Sequence, residues 1–114
     1  MNVYFVYITT SGAEESHKIA HAVVSERLAA CANQLDGMAS TYWWGGEVVE
    51  EREGVVIVKT AEDRLATLRR RVCELHSYEL PCVVALPIAD VSADYRQWII
   101  DETRDKPVVG TGSH

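Results

Sequence analysis

The sequence has few cysteines, no long apolar run and no sign of an export signal. Its three cysteines, Cys31, Cys73 and Cys82, form no C-x-x-C pair, which predicts reduced thiols and not a disulfide framework. No apolar run approaches the roughly 20 residues that a membrane-spanning helix needs. The first residues lack a cationic segment and a small-residue cleavage site. These absences predict a cytoplasmic protein without a membrane partner.

Basic residues and catalytic motifs are also scarce. Lys and Arg number 11 against 17 Asp and Glu, which gives a formal net charge of −6. Because nucleic-acid phosphates are bound by clustered cationic side chains, nucleic acid is not expected as a partner. There is no G-x-S-x-G elbow, no H-E-x-x-H pair and no G-x-x-x-x-G-K-[ST] loop. We therefore predict that the protein is not an enzyme.

The apolar content is sufficient for one folded domain. Hydrophobic residues make up 47% of the 114 residues, which excludes a disordered chain. We assign residues 1–105 to a single domain. Residues 106–114 contain Pro107, Gly110 and Gly112 and are predicted to form a flexible tail.

The spacing of apolar residues predicts the order β-α-β-β-α-β with a short helix at the end. Runs of apolar and β-branched residues at 3–9, 54–58 and 82–88 are typical of strands. A first helix is predicted after Ser11, with Ser11 and Glu14 as a capping box, and it is expected to end near Cys31. Gly45-Gly46 predicts a two-residue hairpin turn between the middle strands.

The second long helix is predicted from about residue 60 to the residues before Pro81, and the last from Asp94 to about Thr103. This order predicts an α+β, ferredoxin-like split β-α-β sandwich, with both main helices on one face of a four-stranded sheet. The other sheet face is then left uncovered by these helices.

The central hairpin is too long for one compact domain. The segment from Glu47 to Thr60 spans roughly 46 Å when fully extended. A compact domain formed by all 114 residues is only roughly 34 Å across. Tyr42, Trp43 and Trp44 stand near its tip, where exposure to water is unfavourable. We therefore expect the hairpin to project from its own domain and to pack against other copies. The residues alone do not set the number of copies.

Two groups of residues carry nitrogen or sulfur donors for a metal. His17 and His21 are four residues apart on one helix face with Glu14, and imidazole suits zinc, copper and nickel. The alternative is a solvated border of the helix. Cys73 and His76 are three residues apart, with Cys82 shortly after, which favours copper or zinc. The alternative is that Cys73 fills space and His76 interacts with a helix C-terminus.

Carboxylates and aromatic side chains leave further alternatives open. The hairpin carries four glutamates, which are Glu47, Glu50, Glu51 and Glu53. They are either ligands for a hard cation or charges that protect a strand edge from unwanted pairing. The aromatic run Tyr42-Trp43-Trp44 suits a ligand pocket or a subunit interface. Cys31 is either a nucleophile paired with a distant histidine or a small buried thiol.

Five motifs follow one another along the chain. They are Glu26-Arg27-Leu28-Ala29-Ala30-Cys31-Ala32-Asn33, Ser40-x-Tyr42-x-Trp44-x-Gly46, Lys59-Thr60, His76-x-Tyr78-Glu79-x-Pro81 and Tyr95-x-x-Trp98. Taken together they resemble the CutA divalent-cation tolerance family, from about Val3 to Arg104. The resemblance implies a ferredoxin-like subunit in a homotrimer built like the PII signalling proteins. It also implies binding of copper(II) or another divalent cation, no organic cofactor and no enzymatic activity. The alternative is a PII-like small-molecule sensor or scaffold module without a dedicated metal site.

The resemblance also implies where the sites lie. It keeps His76 as a metal ligand, and we predict that Cys82 and Glu79 complete the metal site. The cleft between subunits is implied to be lined by Tyr42, Trp44, Lys59, Tyr78 and Glu79.

The chain departs from copper-binding relatives at three positions. Ile8 stands where some of them have a cysteine. Leu75 and Ser77 stand where some have a second histidine and a proline. The resemblance therefore leaves open whether this member binds metal.

Overall fold

The computed structural model describes residues 1–105. Its elements are β1 (Val3–Thr10), α1 (Ala13–Ser25), β2 (Cys31–Trp44), β3 (Glu47–Ala61), a 3-10 turn (Glu62–Arg64), α2 (Leu65–Leu75), β4 (Val83–Pro87) and α3 (Ala93–Glu102). The tail predicted for residues 106–114 lies outside the described residues, and the division at residue 105 stays a prediction.

The strands form one antiparallel sheet in the order β2-β3-β1-β4. The central strands β1 and β3 pair over their full length, from Val3 opposite Ala61 to Thr10 opposite Gly54. This order, with a helix after β1 and another after β3, is the ferredoxin-like arrangement. The predicted fold class is therefore confirmed.

The core lies between one sheet face and helices α1 and α2. Val6, Ile8, Val56 and Val58 point from the sheet toward these helices, because residues two apart on a strand share a face. The helices contribute Ile19, Ala20, Val23, Leu68 and Val72. The opposite face is partly covered by α3, whose Ile99 is fully buried. The described residues leave the rest of that face uncovered.

The hairpin of β2 and β3 gives the molecule its elongated shape. Its extents are 49 × 33 × 22 Å, and the radius of gyration of 15.3 Å exceeds the roughly 13 Å of a compact chain of this length. Gly45 and Gly46 make the turn with φ of 60° and 79°, the left-handed values that a two-residue hairpin needs. The projecting hairpin was predicted correctly.

The ends of α1 differ from the prediction. The helix begins at Ala13 without a side-chain cap, and Glu15, not Glu14, reaches back to accept the Ser11 amide at 2.9 Å. It ends at Ser25, not near Cys31. Arg27 takes a φ of 63°, which reverses the chain while still letting Leu28 reach the core.

Candidate functional site

A groove runs along the open sheet face and the hairpin, from Tyr7 on β1 to Trp44 beside the turn. It encloses about 870 Å³ and lies between the hairpin and the segment that connects α2 to β4. Its floor comes from β1 and its walls from the hairpin and the connecting segment. The residues that line it, by side chain or by backbone, are Tyr7, Thr9, Met38, Ala39, Ser40, Thr41, Tyr42, Trp43, Trp44, Val49, Glu51, Glu53, Tyr78, Glu79, Leu80 and Cys82.

A bulge in β2 sets which side chains enter the groove. The register shifts between Leu35 and Met38, around Gly37, whose φ is 72°. After the shift, Met38 lies opposite Glu53 and the same alternation continues toward the turn. The Met38 sulfur accepts the Tyr7 hydroxyl at 3.4 Å, which ties the hairpin to β1.

Two tyrosine–glutamate pairs lie in the groove. The Tyr78 hydroxyl donates to Glu53 Oε2 at 2.8 Å, and the Tyr42 hydroxyl donates to Glu51 Oε2 at 2.8 Å. Glu53 is only 7% exposed, so Tyr78 supplies a donor to a buried carboxylate. Burial and then the bond to Glu53 raise the pKa of Tyr78 well above its ordinary value. The bond to Glu51 raises the pKa of Tyr42. Both tyrosines are therefore neutral donors at neutral pH.

His76 lies behind the groove and does not line it. Its side chain is fully buried, and Nε2 lies 2.7 Å from the Thr9 carbonyl, which only a protonated Nε2 can satisfy. Its Nδ1 accepts the Tyr78 amide at 3.1 Å, and the His76 and Tyr78 rings pack with centres 4.7 Å apart. His76 thus holds Tyr78 in position, with both ring nitrogens in use.

Glu15 joins this network from α1. Its Oε2 accepts the Ser77 amide at 2.9 Å, and its Oε1 lies 3.7 Å from His76 Nδ1. Burial of Glu15 raises its pKa, but the hydrogen bonds from Ser11 and Ser77 outweigh burial, so the pKa is lowered overall. Glu15 is therefore ionised at neutral pH and anchors the segment that carries Tyr78 and Glu79.

Lys59 is separate from the groove in the single subunit. It lies six residues beyond Glu53 on β3, roughly 20 Å along the strand. Its Nζ donates to Asn33 Oδ1 at 3.1 Å and Cys31 Sγ at 3.7 Å, and lies 5.9 Å from the centre of the Tyr95 ring. Among residues 1–105 it makes no salt bridge, either with Glu79 or with the hairpin carboxylates.

The structure therefore brings together most of the predicted site residues. Tyr42, Trp44, Tyr78, Glu79 and Cys82 share the groove. Lys59 does not enter it, and His76 supports it from behind. Tyr7 and Met38 were not identified from the sequence, and Glu51 and Glu53 were considered only among the hairpin glutamates. Their place beside Tyr78 depends on the bulge and on pairing between distant strands.

The predicted metal ligands do not form a metal site within one chain. No group of three or more His, Cys, Asp or Glu side chains in the described part of the chain is arranged to hold an ion. His76 also has no free ring nitrogen. Cys82 and Glu79 face the groove, and the Met38 sulfur lies there as a further soft donor.

The comparisons with known proteins decide the family. A family model described as CutA1 divalent ion tolerance protein matches residues 4–102. The chain belongs to this family. The divalent-cation tolerance protein CutA of Thermus thermophilus is 45% identical over 98 residues, which cover 86% of this chain and 95% of that protein. The CutA resemblance predicted from the motifs is therefore confirmed.

The names of two further CutA relatives include a cellular location. Protein CutA 1, chloroplastic, of Oryza sativa is 39% identical over 88% of this chain and 56% of its own length. The solved structure of the periplasmic divalent cation tolerance protein CutA from Archaeoglobus fulgidus matches with a TM-score of 0.86 and 34% identity, covering 90% of this chain and 99% of that one. In the described part of this chain, no helix has the length and apolar content to cross a bilayer.

Proposed function

We propose that this protein acts in divalent-cation tolerance as a homotrimer, and that the cation, copper(II) or another divalent ion, binds where the groove of one subunit meets a neighbouring subunit. The single observation that carries this proposal is the groove, which is open on one side and collects carboxyl side chains and a thiol in a chain of a cation-tolerance family. A neighbouring subunit supplies the missing wall and the missing ligands.

Cys82 and Glu79 are the ligands that we assign to the groove side. Both line it, and thiolate with carboxylate suits zinc or copper. His76, the third ligand predicted from the sequence, is assigned instead to holding Tyr78, because its nitrogens already bond to Thr9 and Tyr78. Lys59 is proposed to reach the cleft only across the subunit contact.

The remaining parts of the proposal concern chemistry and location. A non-catalytic role fits the missing catalytic motifs. We propose the cytoplasm because the chain has three free cysteines, which suit a reducing compartment. The chloroplastic and periplasmic relatives make fractionation of the cells that produce this protein the deciding measurement.

Calorimetric titration with copper(II) and zinc(II) tests the metal assignment. We expect Cys82→Ser and Glu79→Gln each to weaken binding about tenfold or more, since both remove a ligand. Cys73→Ser is the matched control, because Cys73 is an exposed thiol on α2 outside the groove. Binding that is lost in His76→Asn but kept in Cys82→Ser would contradict the assignment.

A second function is favoured by the aromatic lining. The volume of about 870 Å³ is that of a small-molecule pocket, and Tyr7, Tyr42 and Trp44 offer rings for stacking. The protein would then be a PII-like sensor of an aromatic or heterocyclic metabolite. A thermal-shift panel tests it, because a ligand of the native state raises apparent stability. A shift that Trp44→Ala removes, without added metal, favours the sensor over the metal protein.

A further inference from the structure

Two histidines on the outer part of α1 lie close together and outside the groove. His17 and His21 are one helical turn apart, and their ring centres lie 6.1 Å from each other. Both residues are exposed. Within residues 1–105 their ring nitrogens have no hydrogen-bond partner, whereas both nitrogens of His76 are in use. His17 and His21 are therefore the free imidazoles of the described chain.

The two rings border a small depression between α1 and the edge strand β2. It encloses about 250 Å³ and is lined by His17, His21, Ala20, Val24, Ser25, Ala32 and Gln34. The Ser25 hydroxyl is already used, since it donates to the His21 carbonyl at 2.6 Å. Gln34 is exposed on β2 and brings an amide oxygen to the same depression. The space is large enough for an ion with several water molecules, which occupy about 30 Å³ each.

The spacing of the rings is within reach of one shared ion. An ion 2.0–2.1 Å from one nitrogen of each ring lies about 3.2 Å from each ring centre, so the centres are about 6.4 Å apart when the ion lies on the line between them and about 5.2 Å apart at the tetrahedral angle. The observed 6.1 Å requires the rings to come about 1 Å closer for the tetrahedral angle. Because both side chains are exposed, rotation about their χ angles can bring the nitrogens to the coordination angle that the ion prefers.

We propose that His17 and His21 form a surface site for a borderline divalent transition metal, Ni(II), Cu(II) or Zn(II), bound through two imidazole nitrogens. Nitrogen donors select these ions over Mg(II) and Ca(II), which prefer oxygen. Because three His, Cys, Asp or Glu side chains do not converge here in the described residues, the remaining positions belong to the Gln34 amide oxygen and water. Glu14, which shares the helix, is not a ligand. The site is separate from the groove and does not depend on its function.

Calorimetric titration of the full chain with NiCl₂, in a buffer that does not coordinate metal, tests the site. We expect saturable binding that weakens about tenfold or more in His17→Gln and in His21→Gln, because each leaves a single imidazole. Glu14→Gln is the matched control and keeps the wild-type affinity. Both histidines are exposed, so circular dichroism should show folded variants.

A second measurement separates this site from the groove. In Cys82→Ser/Glu79→Gln, Cu(II) should still give the electron paramagnetic resonance splitting of nitrogen ligands. Adding His17→Gln and His21→Gln should remove that splitting. The groove proposal can fail while this nitrogen splitting persists. Equally, the splitting can be absent while metal binding in the groove is confirmed. The double variant His17→Gln/His21→Gln still has His76 and His114. If it binds Ni(II) as the wild type does, the proposal is overturned. The absence of Ni(II) binding in the wild type also overturns it.

Discussion

The Glu53 carboxylate is the most constrained charge in the groove. It is 7% exposed and accepts the Tyr78 hydroxyl, whereas the neighbouring Glu51 is exposed and accepts the Tyr42 hydroxyl. A hydrogen bond to a buried charge contributes more to stability than the same bond at the surface, because water cannot replace the lost donor. The two pairs therefore form a natural comparison at the scale of single residues.

Replacing Tyr78 by Phe should destabilise the fold by about 1–3 kcal/mol, since it leaves the buried Glu53 without its donor. Tyr42→Phe removes the same hydroxyl from an exposed pair, and we expect the change to stay within about 0.5 kcal/mol. Urea unfolding at one protein concentration measures both. Equal losses in the two variants would show that burial of Glu53 is not the cause.

Tyr78 should also give the stability a dependence on alkaline pH. Burial and Glu53 raise its folded pKa, so the neutral phenol is favoured in the folded state. The stability that it contributes is fully present below the ordinary tyrosine pKa of about 10 and is lost as the pH rises through the raised folded value. Unfolding measured from about pH 8 to pH 11 should therefore show a steeper loss in the wild type than in Tyr78→Phe. Parallel curves would contradict this account.

At the scale of secondary-structure elements, Gly54 lies where strand β3 packs against the start of helix α1. It lies on β3 where α1 begins, and a Cβ added there would meet Ser16 Oγ at 2.6 Å and Thr10 Oγ1 at 2.7 Å. These two hydroxyls bond to each other at 2.6 Å, so they are fixed between strand and helix. The close approach of α1 to the sheet therefore requires glycine at this position.

Gly54→Ala should cost about 1–3 kcal/mol, because the methyl group forces α1 away from β3. Ser16→Ala in the same chain removes the nearest atom, so the double variant should be more stable than the sum of the two single losses predicts. Thermal unfolding of the four proteins gives this coupling. Strict additivity would mean that Ser16 is not the obstacle.

Among the secondary-structure elements, those that are determined by neighbouring residues could be predicted from the sequence. The hairpin turn was predictable because Gly45-Gly46 supplies two left-handed residues in a row. The end of α1 was not, because Leu28 continues the apolar spacing although Arg27 has already reversed the chain. The role of His76 could not be predicted from the sequence, for a different reason. Its nitrogens are used by contacts that include Thr9, 67 residues away, and spacing along the chain does not report such contacts.

At the scale of the whole molecule, several large apolar side chains are exposed to solvent. The large exposed side chains include Leu35, Trp43, Trp44, Val48, Leu80, Val84 and Leu86. Within residues 1–105, the edge strands β2 and β4 also have one side without a partner strand. Exposed rings on a projecting hairpin next to free strand edges favour packing between copies. These surfaces support the proposed association of copies, and the proposed number of three rests on the family resemblance.

Trp43 and Val48 offer the sharpest test of assembly. They lie opposite each other on the hairpin and are 73% and 58% exposed, so the subunit fold does not need them. Aromatic side chains dominate the energy of many interfaces, so Trp43→Ser/Val48→Ser should weaken association about tenfold or more. Arg69→Ser, an exposed change on α2, is the control. In sedimentation velocity, the wild type and the control should behave as particles of three times 12.7 kDa, while the double variant dissociates on dilution. A wild type that sediments as one 12.7 kDa chain at micromolar concentration would contradict the trimer, and with it a groove completed by a neighbouring subunit.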